Sequence, residues 1–446
     1  MSSPPPFGFG VPDESGGPGF DMSQLGAMLQ QLGRLLQEGG SGGPVNWDLA
    51  RDTARQALAE SGDPAVSDAA RTAVAEAVAL AQLWLDPQTA FPASSSAAEA
   101  WSRAEWLERT FPSWQAIVAP VAEQVNAMLQ PADPASGSGL PEELSALLPE
   151  GLPPEAAAMI APMMGMVRQM GASAFGLQVG RGLAALAGEV LGATDIGVPL
   201  GSRRPDGDPG RRSRESGPAL VPSNVEAFGD GLGIPAEEVR LYLALRECAH
   251  QRLFAHVPWL PARLEGAIDA YARGIRVDTD RLGEAMRSVD PAALTDPSRL
   301  GDALGEDMFQ LEDTPEQQAA LQRLETLLAL VEGWVCDVVA EAAAPLPGAD
   351  RLAEAVRRRR AAGGPAEKTF ASLVGLELRP RALREAAALW STLRAERGIA
   401  GRDELWAHPD LLPDHDDLDD PEGFIRRSRP ETLLPGDDTG ADEPDA

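Results

Sequence analysis

PAEEVRLYLALRECAHQRLFAHVPWL, residues 235–260, is the stretch around which the chain is organised, and it reads as one helix. Pro235 suits the first turn, Glu237 and Glu238 favour the positive end of the helix dipole, and Pro258 stops the run. Val239, Leu243, Arg246, His250 and Leu253 recur at spacings of four and three, the core-facing stripe of an amphipathic helix. Arg246 and His250 are therefore polar side chains aimed at a core, where each needs a partner.

Arg246-Glu247-Cys248-Ala249-His250 is the H-E-x-x-H pattern of zinc peptidases with arginine in place of the first histidine. In that pattern two imidazoles one turn apart hold the ion and the glutamate acts as general base. Position by position, Glu247 is the candidate catalytic base and His250 a candidate metal ligand. A guanidinium stays charged and only donates, so Arg246 cannot coordinate zinc. The second informative stretch is LLALVEGWV, residues 327–335, where Glu332 is the lone charge in an apolar helix. An unpaired carboxylate there costs several kcal/mol, on the order of 3–5, so something answers it. In one reading Glu332 is a metal ligand with His250. In the other it forms a bidentate ion pair with Arg246 in the place of the metal, and the missing histidine favours this second reading. His256 has the spacing of a third ligand, but Leu253 stands where the chain-bending glycine of that longer motif belongs. An uninterrupted helix turns His256 about 120° away from His250, so it reads as a helix-end histidine near the carbonyl dipoles.

Length, at 446 residues, leaves room for more than one core, and abundant Ala and Leu with few β-branched runs predict a mostly α fold. A net charge of −30 argues against nucleic acid and anionic membrane surfaces as partners and leaves proteins or peptides. Two cysteines, Cys248 and Cys336, make no disulfide framework. The opening MSSPPPFGFG has no basic n-region or apolar h-region, and no uncharged run reaches the length of a membrane span. A cytoplasmic protein is expected.

Residues 1–44, rich in Gly, Pro and Ser, are expected to be disordered, with 22–36 either a short docking helix or a fraying one. An N-terminal helical region follows over 45–201, anchored by Trp84, Trp101, Trp106 and Trp114. Within it 156–191 reads as two helices broken near Gly171. Gly176 and Gly180 make a close-packing pair, and 194–201 (TDIGVPLG) is the best strand candidate. The polar stretch 202–217 separates this region from a helical domain over 218–413. There Thr314-Pro315-Glu316-Gln317 is a strong helix start. Arg357 to Arg360 reads as a salt-bridged helix face. From Asp414 onward the chain holds twelve acidic residues against three arginines and is expected to be a disordered acidic tail over 414–446.

Taken together, RECAHQRLFAHVPWL (246–260), LVEGWV (330–335), GPAEKTFASLVGLELRPRALREA (364–386) and LWAHPDLLP (405–413) resemble an actinobacterial zincin-like family. Its members are described as hydrolases or zinc-dependent metalloproteases. PFGFG (6–10) and VNWDLAR (45–51) fit the same family, so the resemblance covers nearly the whole chain. It implies a zincin-like helical domain, zinc as cofactor, Glu247 as general base, and His250 and Glu332 as metal ligands; Arg246 departs from it. Two functions follow. One is a zinc-dependent metalloprotease or hydrolase with a degenerate motif. The other is a metal-free pseudo-enzyme serving as a helical interaction or scaffold protein, with Arg246 and Glu332 as a structural ion pair.

Overall fold

The computed structural model describes residues 43–128, 154–200, 217–274, 314–361 and 380–428. Asn46 caps the first helix through its side-chain oxygen, which accepts from the Leu49 N–H, and α1 runs Trp47–Ser61. Ser67 does the same for α2, Asp68–Leu85. After β1, Glu99–Ala100, come α3, Arg103–Met128, and α4, Pro154–Ala187. β2, Ala219–Leu220, leads through α5, Pro222–Gly229, into α6, Ala236–His256, and α7, Leu260–Gly274. Then follow α8, Pro315–Ala342, α9, Ala349–Ala361, and α10, Pro380–Asp403, which kinks at Gly398 with φ of 72°. Two 3-10 turns and the short helices α11, His415–Asp419, and α12, Pro421–Arg427, complete the order. The mostly α expectation holds.

The α6 helix differs from its sequence reading in one respect. It is buried on every side rather than along one stripe: 14 of its 21 residues are buried, Leu241 to His250 without interruption. α2 and α8 pack on it, and β2 touches its flank. α8 begins as the sequence reads, with the Thr314 hydroxyl accepting from the Gln317 N–H. It is buried almost continuously from Thr326 to Val339. α8 also lies backbone against backbone on α10. A Cβ on Gly333 would lie 2.7 Å from the Ala386 carbonyl carbon and 2.8 Å from the Ala387 nitrogen of α10. We expect Gly333→Ala to destabilise by about 1–3 kcal/mol, as overpacking does, measured by denaturant unfolding. A gain in stability would mean that α10 shifts freely.

Gly176 and Gly180 serve internal packing: Cβ atoms there would lie 2.6 Å from the Asn46 carbonyl oxygen and 2.5 Å from that of Ala50, so α4 lies directly on α1. Three expectations are corrected. α4 is one continuous helix through Gly171, because one interior glycine costs about 1 kcal/mol, too little to break a helix of 34 residues. Residues 194–200 are turns rather than a strand, with Gly197 at φ of 78°; only Gly192, just before them, bridges to Leu220. Asp414 to Ser428 fold as α11 and α12 rather than joining a solvated tail, because Leu418, Phe424 and Ile425 are buried.

The N-terminal and motif-bearing stretches share one apolar core. β1 pairs in parallel with β2, Glu99 opposite Ala219. Asn224 donates to the carbonyls of Ala187 and Val190, closing the same seam. The proposed 22–36 helix, most of the 202–217 loop and the tail beyond 428 lie outside the described residues. No described helix is long and apolar enough to cross a membrane.

Candidate functional site

α6 and α8 face each other so that Arg246 and His250, one turn apart, meet Glu332. Nη2 of Arg246 donates to both carboxylate oxygens, at 3.2 and 2.7 Å. His250 Nε2 lies 2.7 Å from Oε1, and its Nδ1 lies 2.9 Å from the Arg246 carbonyl oxygen. Both histidine contacts are hydrogen bonds only when each ring nitrogen carries a proton. A second guanidinium comes from α9: Arg360 Nη2 stands 2.9 Å from the same Oε1. Arg246, His250 and Glu332 are each at most 5% exposed. Burial pushes the Glu332 carboxyl up, but Arg246, Arg360 and His250 outweigh it and hold it well below the usual carboxylate range. Burial likewise works against charge on Arg246, and the Glu332 carboxylate more than reverses this.

Glu247 points elsewhere. Its Oε2 accepts from the Thr194 N–H and hydroxyl at 3.0 and 2.7 Å, and its Oε1 from the Gln251 amide at 3.0 Å. Burial pushes its carboxyl up, with Gln251 and Thr194 opposing. A Cβ on Gly192 would come within 2.7 Å of Oε2, so only glycine lets the 191–195 turn lie on this carboxylate. The adjacent motif residues therefore divide: Arg246 ties α6 to α8, and Glu247 ties α6 to the turn after α4. His256, six residues past His250, is exposed; its Nδ1 reaches the Arg252 carbonyl and its ring stacks on Phe91.

Sequence reasoning missed Arg360, Thr194, Gln251 and Cys336, the last with its sulfur 3.7 Å from Arg246 Nη1. Gln251 stands four residues after Glu247 on the same helix, a spacing that could have pointed to it. Nothing in the sequence pointed to the others.

Would these residues hold zinc? Two ligands of one tetrahedral ion, each at about 2.0–2.1 Å, stand about 3.3 Å apart. His250 Nε2 and Glu332 Oε1 are closer than that and bond each other directly. Two guanidinium groups already neutralise the carboxylate that would serve as anionic ligand. Among the described residues no three His, Cys, Asp or Glu side chains gather as a metal site. The described donor set does not fit a zinc ion.

Comparison with known proteins places the fold. A family model for zincin-like metallopeptidases matches residues 45–425. No curated protein matches the chain. A solved structure from Chloroflexus aurantiacus, described as a "putative hydrolase with a novel fold", is similar with a TM-score of 0.56 and 19% identity. The similarity covers 86% of this chain and 98% of that one, and at such identity it shows a shared fold. The family match extends through both the motif helix and the helix that answers it, and the chain belongs to the zincin-like metallopeptidase family.

Proposed function

We propose that this chain has kept the zincin-like helix pair and replaced its metal with its own arginine. It acts as a metal-free binding or scaffold protein for a protein or peptide partner, and cleaves nothing at this centre. The observation that carries the reading is the Arg246 guanidinium spread over both oxygens of Glu332. The engagement of Glu247 by Thr194 and Gln251 supports it, since a carboxylate held by three donors toward the 191–195 turn is not aimed at a water beside Glu332. A second reading, a zinc-dependent hydrolase with Glu247 as base and His250 and Glu332 as ligands, rests on the family match and on the description of the structural neighbour.

Metal analysis after dialysis against zinc separates the two. We expect wild type to retain almost none and to unfold identically with and without chelator, while Arg246→His, which supplies the missing imidazole, retains more. One zinc per wild-type chain, with stability lost in chelator, would establish the second reading. Glu247→Gln provides an independent check, because burial already favours the neutral acid that glutamine imitates. We expect a stability change within about 1 kcal/mol and no effect on any peptide or ester turnover the wild type shows. Abolished turnover in a folded Glu247→Gln protein would return Glu247 to the role of general base.

A further inference from the structure

α9 touches α6 near its own start and ends beside Glu332. At its start the Gly348 N–H donates to Glu238 Oε2 at 2.9 Å, and Arg351 reaches the Leu232 carbonyl. At its end Arg359 holds Asp195 Oδ2 at 2.9 Å and the Glu189 carbonyl at 2.6 Å. Arg360 holds the Asp195 carbonyl at 2.7 Å and Glu332 at 2.9 Å. Between these pins only Leu352 and Val356 are buried among the side chains described for α9. The slot beside Arg360, lined by Ile196, Gly197, Leu328, Ala329 and Glu332, has room for no more than about one water molecule. A helix with so few buried apolar side chains, next to two that are buried almost throughout, belongs to the part of a fold that opens locally.

We infer that α9 is a charge-held latch over the Glu332 centre, and that Arg359 and Arg360 set how often it opens. The latch moves as one unit and uncovers Glu332 and the slot while α6 and α8 stay folded. The inference stands on these contacts and does not depend on whether the centre takes a metal.

Hydrogen exchange on the full chain, followed by mass spectrometry, tests it. In wild type the amides of 349–361 should exchange together and at least tenfold faster than those of α6 and α8. Their rate should rise as salt is raised from about 0.01 to 1 M, where the screening length falls from about 30 to 3 Å. Arg359→Gln with Arg360→Gln should speed α9 about tenfold further and leave α6 and α8 unchanged. The lysine pair, which keeps charge without the planar fork, should fall between. If α9 exchanged at the rate of α8, insensitive to salt, there is no latch. Equal acceleration of all three helices in the glutamine variant would also overturn it, making the arginines general core contacts. Should the variants fail to fold, the wild-type salt series alone decides.

Discussion

Glu332→Gln and Arg246→Met should each destabilise the protein by about 3–5 kcal/mol in denaturant unfolding, the cost of leaving a buried charge without its partner. Both residues are at most 5% exposed, and they are joined at 2.7 Å. The double variant should lose much less than the sum, since neither orphan remains. Arg360, at 15% side-chain exposure, is the one cation of the cluster able to turn toward solvent. Strictly additive losses would show that the pair does not form. Acid titration supplies a second readout. The Glu332 pKa is lower in the folded state, so its contribution is full above the unfolded value of about 4.3 and is lost as pH falls through the folded one. The double variant should lack that part of the acid sensitivity.

A comparable loss is expected at a second buried polar network, away from the motif. Asp403 Oδ2 accepts from the Thr89 hydroxyl and the Ala90 N–H, both at 2.7 Å, and Oδ1 from Trp334 Nε1 and Arg402 Nε, both at 2.8 Å. Arg402, fully buried, also bonds Asp337 and the Gln88 carbonyl. Asp403→Ala would strand four donors at once and leave Arg402 one carboxylate short. We expect a loss of about 3–5 kcal/mol. Asp403→Asn, which keeps one oxygen acceptor, should lose less. Thermal and denaturant unfolding of both variants is the measurement. A loss near zero for the alanine variant would mean that solvent reaches these donors.

Much of the centre was legible because charge in an apolar helix is informative. Arg246, His250 and Glu332 were singled out by polarity at core-facing or all-apolar positions, and the fold brings them into one cluster. What sequence does not encode is aim. Glu247 sits beside Arg246 in the chain, yet its side chain leaves on the other flank, toward a turn with no periodic pattern. Arg360 looked like one of four equal arginines. Arg357 and Arg358 share the exposed Glu354, whereas Arg359 and Arg360 reach inward. Arg252, 1% exposed, binds Gln82, Asp86 and the Phe91 carbonyl, although in the sequence it is an ordinary helix residue. Each of these depends on where a distant element docks, and spacing along one helix carries no such information. α4 runs unbroken through Gly171 because the hydrogen bonding and packing of a long helix outweigh the propensity of one residue.

The bond from Thr89 to Asp403 has a consequence for how the protein comes to exist. Its ends are 314 residues apart in the chain. During synthesis the turn after α2 emerges long before its partner, and at about 5–20 residues per second it waits on the order of 15–60 seconds. Until α10 leaves the ribosome, the Gln88 carbonyl, the Ala90 N–H and the adjoining apolar faces have no place to go. Nascent chains stalled before Arg402 should therefore be protease-sensitive through α2, and those extended past Ser428 resistant. This part of the core closes only once α10 has been made, and α2 is secured long after it is synthesised.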